Sequence, residues 1–443
     1  MKQTPLVAWW AMVLRSVYSG GGNMMERLLA PHEAAITAAG VRLVLHCDVM
    51  GELDEVVLAQ ALARLRSCYP LLSGRITTGG AGSGQLVRIE DPVPGPALGH
   101  GADLGEEISV PLDWEQGPLL RITVLREPGR PGHSRVVMTL PRAFADAMSY
   151  LAVHRRLWAL YTALSTGRPA PDELVLPVLG PALDDLLAAR FTQQQLRDFV
   201  GERARLDTEA PPALLPTPAS RDGGPGPDLS FGSITVEAGT DQCGQLVQRA
   251  RETSLTVNAL VSGILLTALR TLFPSQSGPV RILCTTAVDM RRRLTPPLAN
   301  EVLQSAATTT SIRLKVADGA DPVAVGQDLD TQLRTALESG AAAMELAAFP
   351  HMLNQHPPSL VITNIGSVTA PDLPDGLHLV DVCLAPLGHV PMVFAVVKRY
   401  RGHLTVTLNY SRAWYTDAQI HALADQADSM LNDLTAHPLS PPG

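Results

Sequence analysis

The stretch Val136-Val-Met-Thr-Leu-Pro-Arg-Ala-Phe-Ala-Asp-Ala-Met-Ser149 decides the fold. Val136 to Leu140 is apolar and rich in β-branched residues, so it reads as a strand. A short loop holding Pro141 and Arg142 follows. An amphipathic helix is then predicted from Asp146 to Leu164, with Asp146 suited to its N-cap. Arg142 is the most polar group of the loop, and it is no base: its pKa lies far above neutrality and it offers no free lone pair.

Strand and helix patterns continue on both sides. Val41 to Val49 and Leu119 to Leu125 read as strands, and Glu55 to Arg66 as an amphipathic helix. Ser73 to Thr78 and Gln85 to Glu90 read as a hairpin around the glycine-rich loop 79–84. That loop lacks the strand-to-helix setting and the Lys-Ser/Thr of a phosphate cradle. Residues 91–112, rich in Pro and Gly, are expected to be irregular, and helical patterns return over 181–205. Ala210 to Pro227 then places six Pro and three Gly in 18 residues, which marks a linker. Beyond it strands are predicted at 229–236, 280–287, 359–364, 377–384, 391–398 and 403–410. Helices are predicted at 240–253, 257–272, 322–339 and 417–434. Strands covered by helices on both sides of one linker argue for an α/β protein built from two sandwich halves. The expected division is an extension at 1–23, a first half at 24–205, a linker at 206–228 and a second half at 229–443.

With 443 residues there is room for two domains. A net charge of −8, without basic patches interleaved with aromatics, argues against nucleic acid as a partner. Lysine occurs only three times, at Lys2, Lys315 and Lys398, so the other basic residues are Arg. Five well-separated cysteines, with no Cys-x-x-Cys pair, read as buried free thiols in a reducing cytoplasm. The histidines show no His-Glu-x-x-His spacing and form no cluster with cysteines, so neither a metal nor another cofactor is expected. Leu6 to Leu14 is apolar but too short to span a bilayer. Lys2 before it imitates a signal sequence, but the cleavage site is poor, and we read residues 1–23 as an extension. No other segment is a membrane candidate.

Five stretches carry a resemblance in the same chain order. The loop reads Pro141-Arg142-Ala-Phe-Ala-Asp146-Ala147 against a His-His-x-x-x-Asp-Gly motif. Glu115-Gln-Gly-Pro-Leu-Leu-Arg121 resembles a Gly-Pro-Leu-Leu-Arg strand entry, and Leu255 to Arg270 resembles the helix that opens a second half. Cys284 to Leu294 is similar to a strand ending in Asp-Leu-Arg, with Asn300 where Gly-Asn often follows, and Pro358 to Gly366 is similar to a Ser-Asn-x-Gly strand. The whole, over residues 25–435, resembles the superfamily of condensation domains and CoA- or carrier-protein-dependent acyltransferases. Its closest flavour is the polyketide-associated acyltransferases of mycobacteria and related bacteria.

The resemblance implies two chloramphenicol-acetyltransferase-like subdomains meeting in a V around a tunnel. It also implies a hydrophobic or acyl-type substrate, delivered on CoA or an acyl carrier protein. The second motif His is the superfamily's general base, and Arg142 stands in its place. Arg142 is therefore expected either to bind an anion or polarise a carbonyl, or to turn away into a local salt bridge. Asp146 is expected to be structural and to pair with Arg291. Thr363 and Asn364 are expected either to stabilise an oxyanion or only to shape a strand end. His389 is the candidate substitute base, and its bland reading is a hydrogen-bonded loop residue. His154, over two turns into the helix and roughly 12 Å along it, is expected to point away from the loop. Met138, Phe144, Val288, Val361 and Met392 are the expected tunnel lining. Three functions follow: a repurposed fold that cyclises a polyketide-type substrate, an acyltransferase with a substitute base, or a non-catalytic scaffold.

Overall fold

The computed structural model describes residues 25–79, 84–89, 97–126, 129–172, 176–273, 278–352 and 356–436. The extension 1–23 and most of the glycine-rich loop lie outside these. The strands are β1 (Met25–Leu28), β2 (Arg42–Met50), β3 (Arg75–Thr78), β4 (Gln85–Ile89), β5 (Leu98–Gly101), β6 (Arg121–Leu125) and β7 (His133–Pro141) in the first half. The second half adds β8 (Phe231–Ala238), β9 (Val280–Asp289), β10 (Ala307–Val316), β11 (Leu360–Ser367), β12 (His378–Leu387), β13 (Val393–Tyr400) and β14 (His403–Ser411). They form three sheets: β1-β4-β3, β12-β2-β7-β6-β5 and β10-β9-β11-β13-β14-β8.

The alternating side chains of β2 explain the layering. Leu43, Leu45, Cys47 and Val49 face the first core, beside Leu58, Leu62 and Leu65 of helix Glu55–Cys68 and Tyr150, Leu157 and Trp158 of helix Ala147–Thr166. A second core lies between the six-stranded sheet and helices Thr240–Glu252, Val257–Arg270 and Asp417–Ala436. The chain is thus mixed α/β with two sheet-and-helix halves.

One strand crosses between them. β12 follows the linker in sequence, yet it pairs antiparallel with β2 from His378↔Met50 to Leu387↔Arg42. The expected division at 206–228 therefore separates all the strands except this one. Other departures are local. β5 and helix Leu104–Ser109 lie inside the stretch read as irregular. β5 carries two glycines and no β-branched residue, and it is held by parallel pairing to β6 from Leu98↔Ile122 to Gly101↔Leu125. β10 was not anticipated. Its inward positions Thr308 and Thr310 precede Ile312 and Leu314, which hides the alternation.

The second core depends on one close helix crossing. A Cβ at Gly263 would sit 2.0 Å from the carbonyl oxygen of Pro322 and 2.8 Å from the nitrogen of Gly326. Both obstacles are backbone, so the helices Val257–Arg270 and Pro322–Glu338 must separate to admit it. Gly263→Ala is expected to destabilise the protein by about 1–3 kcal/mol. The fall should appear in chemical denaturation, and an unchanged midpoint would mean that the crossing tolerates a methyl group.

Among the described residues no single helix is long and apolar enough to cross a membrane. The pair Thr240–Glu252 and Val257–Arg270 is apolar enough in sum, but it is bent by 100° and packs in the second core.

Candidate active site at the junction of the two halves

β7 ends on Pro141, which lies opposite Arg42 and offers no N–H to extend the ladder. Arg142 to Phe144 then form one 3-10 turn, Ala145 is extended, and Asp146 caps the helix Ala147–Thr166. Asp146 Oδ1 accepts from the backbone N–H of Ser149 at 2.8 Å. Its other oxygen accepts from Arg291 Nε at 3.1 Å, Arg291 Nη2 at 3.0 Å and the Ala306 N–H at 2.8 Å.

Arg291 is 0% exposed. Its remaining N–H groups donate to the carbonyls of Ala299 (2.7 Å), Val302 (3.2 Å) and Gln304 (2.6 Å). Every donor of the guanidinium is used, which is the condition under which a buried ion pair is tolerated. The pair ties the helix after β7 to the end of β9 and to loop 299–306, so it spans the two halves. The acceptor directions of Asp146 are thus filled from within the protein.

Arg142 differs. Its N–H donates to Val41 O at 3.1 Å. Nη1 donates to Ala145 O at 2.9 Å and to the Ser305 hydroxyl. It is half-buried, and among the described residues no carboxylate pairs with it, since Asp146 belongs to Arg291. Burial lowers its pKa, while Asp146 nearby opposes that shift. Of the two expectations for Arg142, the local salt bridge is not what forms.

Sequence reasoning missed His32. The short helix Pro31–Ala38 packs on the Arg142–Phe144 turn. Asp184 Oδ1 accepts from the His32 backbone N–H at 3.1 Å. The imidazole meets Phe349 edge-on, with centroids 5.4 Å apart. Burial first and the Arg142 charge second lower its pKa to about 3, so the ring is a neutral imidazole at neutral pH. No motif marks this position. The only signal was a histidine one residue into a helix that begins with Pro31.

The other candidates sit elsewhere. Asn364 Nδ2 donates to Asn258 Oδ1 at 3.1 Å, and its own Oδ1 accepts from Gly366 N at 2.8 Å. These bonds hold a register shift in β11, where Gly366 takes φ +70°. Asn364 is exposed and Thr363 half-buried, and the irregularity lies within β11, which pairs with β13 on both sides of it. His389 follows β12, shares a hydrogen bond with the Ser411 hydroxyl at 3.1 Å and stacks on Phe231 at 4.7 Å. Burial, then the Arg42 charge, lowers its pKa. Leu387 and Pro141 both pair with Arg42, so His389 and Arg142 share one end of the sheet. They leave it from strands separated by β2, whose axes lie roughly 10 Å apart. His154 accepts from Trp158 Nε1 at 2.8 Å inside the first core, away from the loop.

The expected tunnel residues do not share one packing cluster. Met138 (0% exposed) and Phe144 (2%) pack within the first core, because both side chains face the helix layer. Val288 lies in a third apolar cluster with Leu183, Leu346 and Met290. Val361 is buried on β11 and Met392 is half-buried before β13. Among the described residues no group of three His, Cys, Asp or Glu could hold a metal.

The chain has the two-half fold of condensation domains and acyltransferases, with the Asp–Arg pair at the junction. Residues 229–409 match the family model described as phthiocerol/phthiodiolone dimycocerosyl transferase C-terminus. Polyketide synthase associated protein 5 from Mycobacterium tuberculosis is similar, with 20% identity, 93% of this chain and 98% of that chain covered, and a TM-score of 0.71. Trichothecene 15-O-acetyltransferase from Fusarium sporotrichioides covers 95% and 97%, with 12% identity and a TM-score of 0.74. The epimerization domain from the third module of tyrocidine synthetase B covers 95% and 98%, with 15% identity and a TM-score of 0.68. No curated protein matches the chain by sequence.

Proposed function

We propose that this acyltransferase-fold protein acts in polyketide or lipid biosynthesis. It holds a hydrophobic substrate with an anionic or carbonyl oxygen on Arg142 and promotes a reaction other than acyl transfer, intramolecular cyclisation or cycloaddition. One observation carries the reading. At the position of the motif base stands a half-buried guanidinium with no carboxylate partner among the described residues. An unpaired cation in a desolvated site is costly, and a substrate oxyanion or enolate relieves that cost. Cyclisation needs folding of the chain and stabilisation of developing charge, which a shaped pocket and Arg142 supply without a general base. The epimerization domain of similar fold supports the view that this scaffold carries more than acyl transfer.

A second reading has its own observation. His32 lies against the Arg142 turn and is neutral at neutral pH, so a ring nitrogen keeps a free lone pair, although a pKa lowered to about 3 makes it a weak base. In that reading the chain transfers an acyl group from CoA or an acyl carrier protein, with His32 as base and Arg142 on the carbonyl oxygen.

The test is the mass of the metabolite that accumulates when the gene is deleted. An intermediate isomeric with the final product supports cyclisation, and one lighter by an acyl group supports transfer and sinks the first reading. The pH–rate profile separates the bases. A histidine with a lowered pKa stays in its basic form until pH falls through that pKa. A His32-dependent step therefore keeps its rate down to about pH 4 and loses it only near the pKa of about 3. An acid limb near pH 6.5 would exclude His32 as the proton acceptor.

A further inference from the structure

A second cluster of reactive side chains lies between the two large sheets, away from Arg142. Lys398 on β13 is 3% exposed. Its ammonium donates to Asp381 Oδ1, to Val382 O at 2.5 Å and to Cys383 Sγ at 3.4 Å, all on β12. The Cys383 thiol donates to Asp381 Oδ2 at 3.1 Å. Cys383 lies opposite His46 and Asp381 opposite Asp48, so all four share the β2/β12 face that meets Lys398. A register shift between Leu379 and Asp381 sets the phase of β12 there. His46 Nδ1 is buried without a hydrogen-bond partner.

A buried lysine needs a carboxylate, and Asp381 answers that need without any cysteine. The added thiol within reach of both groups has no role in the ion pair. We propose that Cys383 and Lys398 form a covalent sulfur–oxygen–nitrogen bridge under oxidation by dioxygen, locking β12 of one sheet to β13 of the other.

The step balances. One S–O and one O–N bond form, while the S–H bond and one ammonium N–H break. Sulfur loses two electrons and nitrogen two, and dioxygen gains four. One oxygen atom enters the bridge and the other leaves as water with two of the hydrogens. The ammonium's remaining surplus proton passes to the Asp381 carboxylate and on to solvent. Burial raises the Cys383 thiol to about 12 despite the Lys398 charge, so the resting sulfur is a thiol and the oxidation is slow. Cys383 is half-buried, so dioxygen reaches it where it would not reach the fully buried Cys284.

The full-length protein is held under argon with reductant or under oxygen without it, then measured by intact mass and peptide mapping. The expected result is a gain of about 14 Da, one oxygen added and two hydrogens lost, on a crosslinked pair of peptides containing Cys383 and Lys398. Thiol reductant should reverse it, and Cys383→Ser should prevent it. The wild-type measurement decides the matter even if that variant folds poorly. An unchanged mass under oxygen overturns the proposal. So does a gain of about 16, 32 or 48 Da confined to the Cys383 peptide, which is the ordinary cysteine oxidation ladder.

Discussion

Arg291→Ala is expected to cost about 3–5 kcal/mol of stability. The change strands the Asp146 carboxylate at 3% exposure with only the Ala306 and Ser149 donors left. It also frees three carbonyls of loop 299–306 that Arg291 holds. Urea denaturation reads the loss as a lower midpoint. In a chain with two cores the transition between the halves should soften before the whole unfolds. Asp146→Ala alone should cost a similar amount, because it leaves the guanidinium buried and unpaired. The double variant should cost clearly less than the two singles added, since neither charge is then left alone. Additive losses would mean that the two residues act separately and that the pair is not the pin between the halves.

That pair also marks how far the sequence could be read. Asp146 and Arg291 sit in stretches with their own local grammar, a strand running into a capped helix and a strand ending in basic residues. Such grammar survives divergence because it reflects backbone hydrogen bonding. β12 was legible as a strand but not as a member of the first sheet, because partner choice is a non-local pairing that alternation does not encode. β10 was lost because threonine serves as an inward residue at two positions. Which face a residue takes follows a period of two: in β7, Met138 and Leu140 face the first core, while Val137 faces the small cluster with Val44, Phe231 and Leu387. His32 was invisible because its meaning comes from a helix more than 100 residues before the turn it packs on.

Arg142→Gln is expected to lower turnover of the accumulating intermediate by about 100- to 1,000-fold, the usual effect of removing one donor that stabilises developing charge. Stability should change by about 1 kcal/mol, because Arg142 is half-buried and makes no ion pair among the described residues, so the change removes only its hydrogen bonds to Ala145 O and the Ser305 hydroxyl. Arg291 offers the contrast at the same junction: it is fully buried with every donor satisfied, whereas Arg142 is half-buried and has no carboxylate partner among the described residues. Arg142→Lys keeps the charge but not the planar fork, so it should recover only part of the rate. Arg142→His restores a group able to accept a proton at the motif position. If it produced acyl transfer while abolishing the native conversion, the scaffold would be a transferase whose chemistry was redirected at a single position. If Arg142→Gln left turnover intact, substrate would not meet the protein at this turn, and the search for the reacting centre would move to the His389–Phe231 stack at the other side of β2.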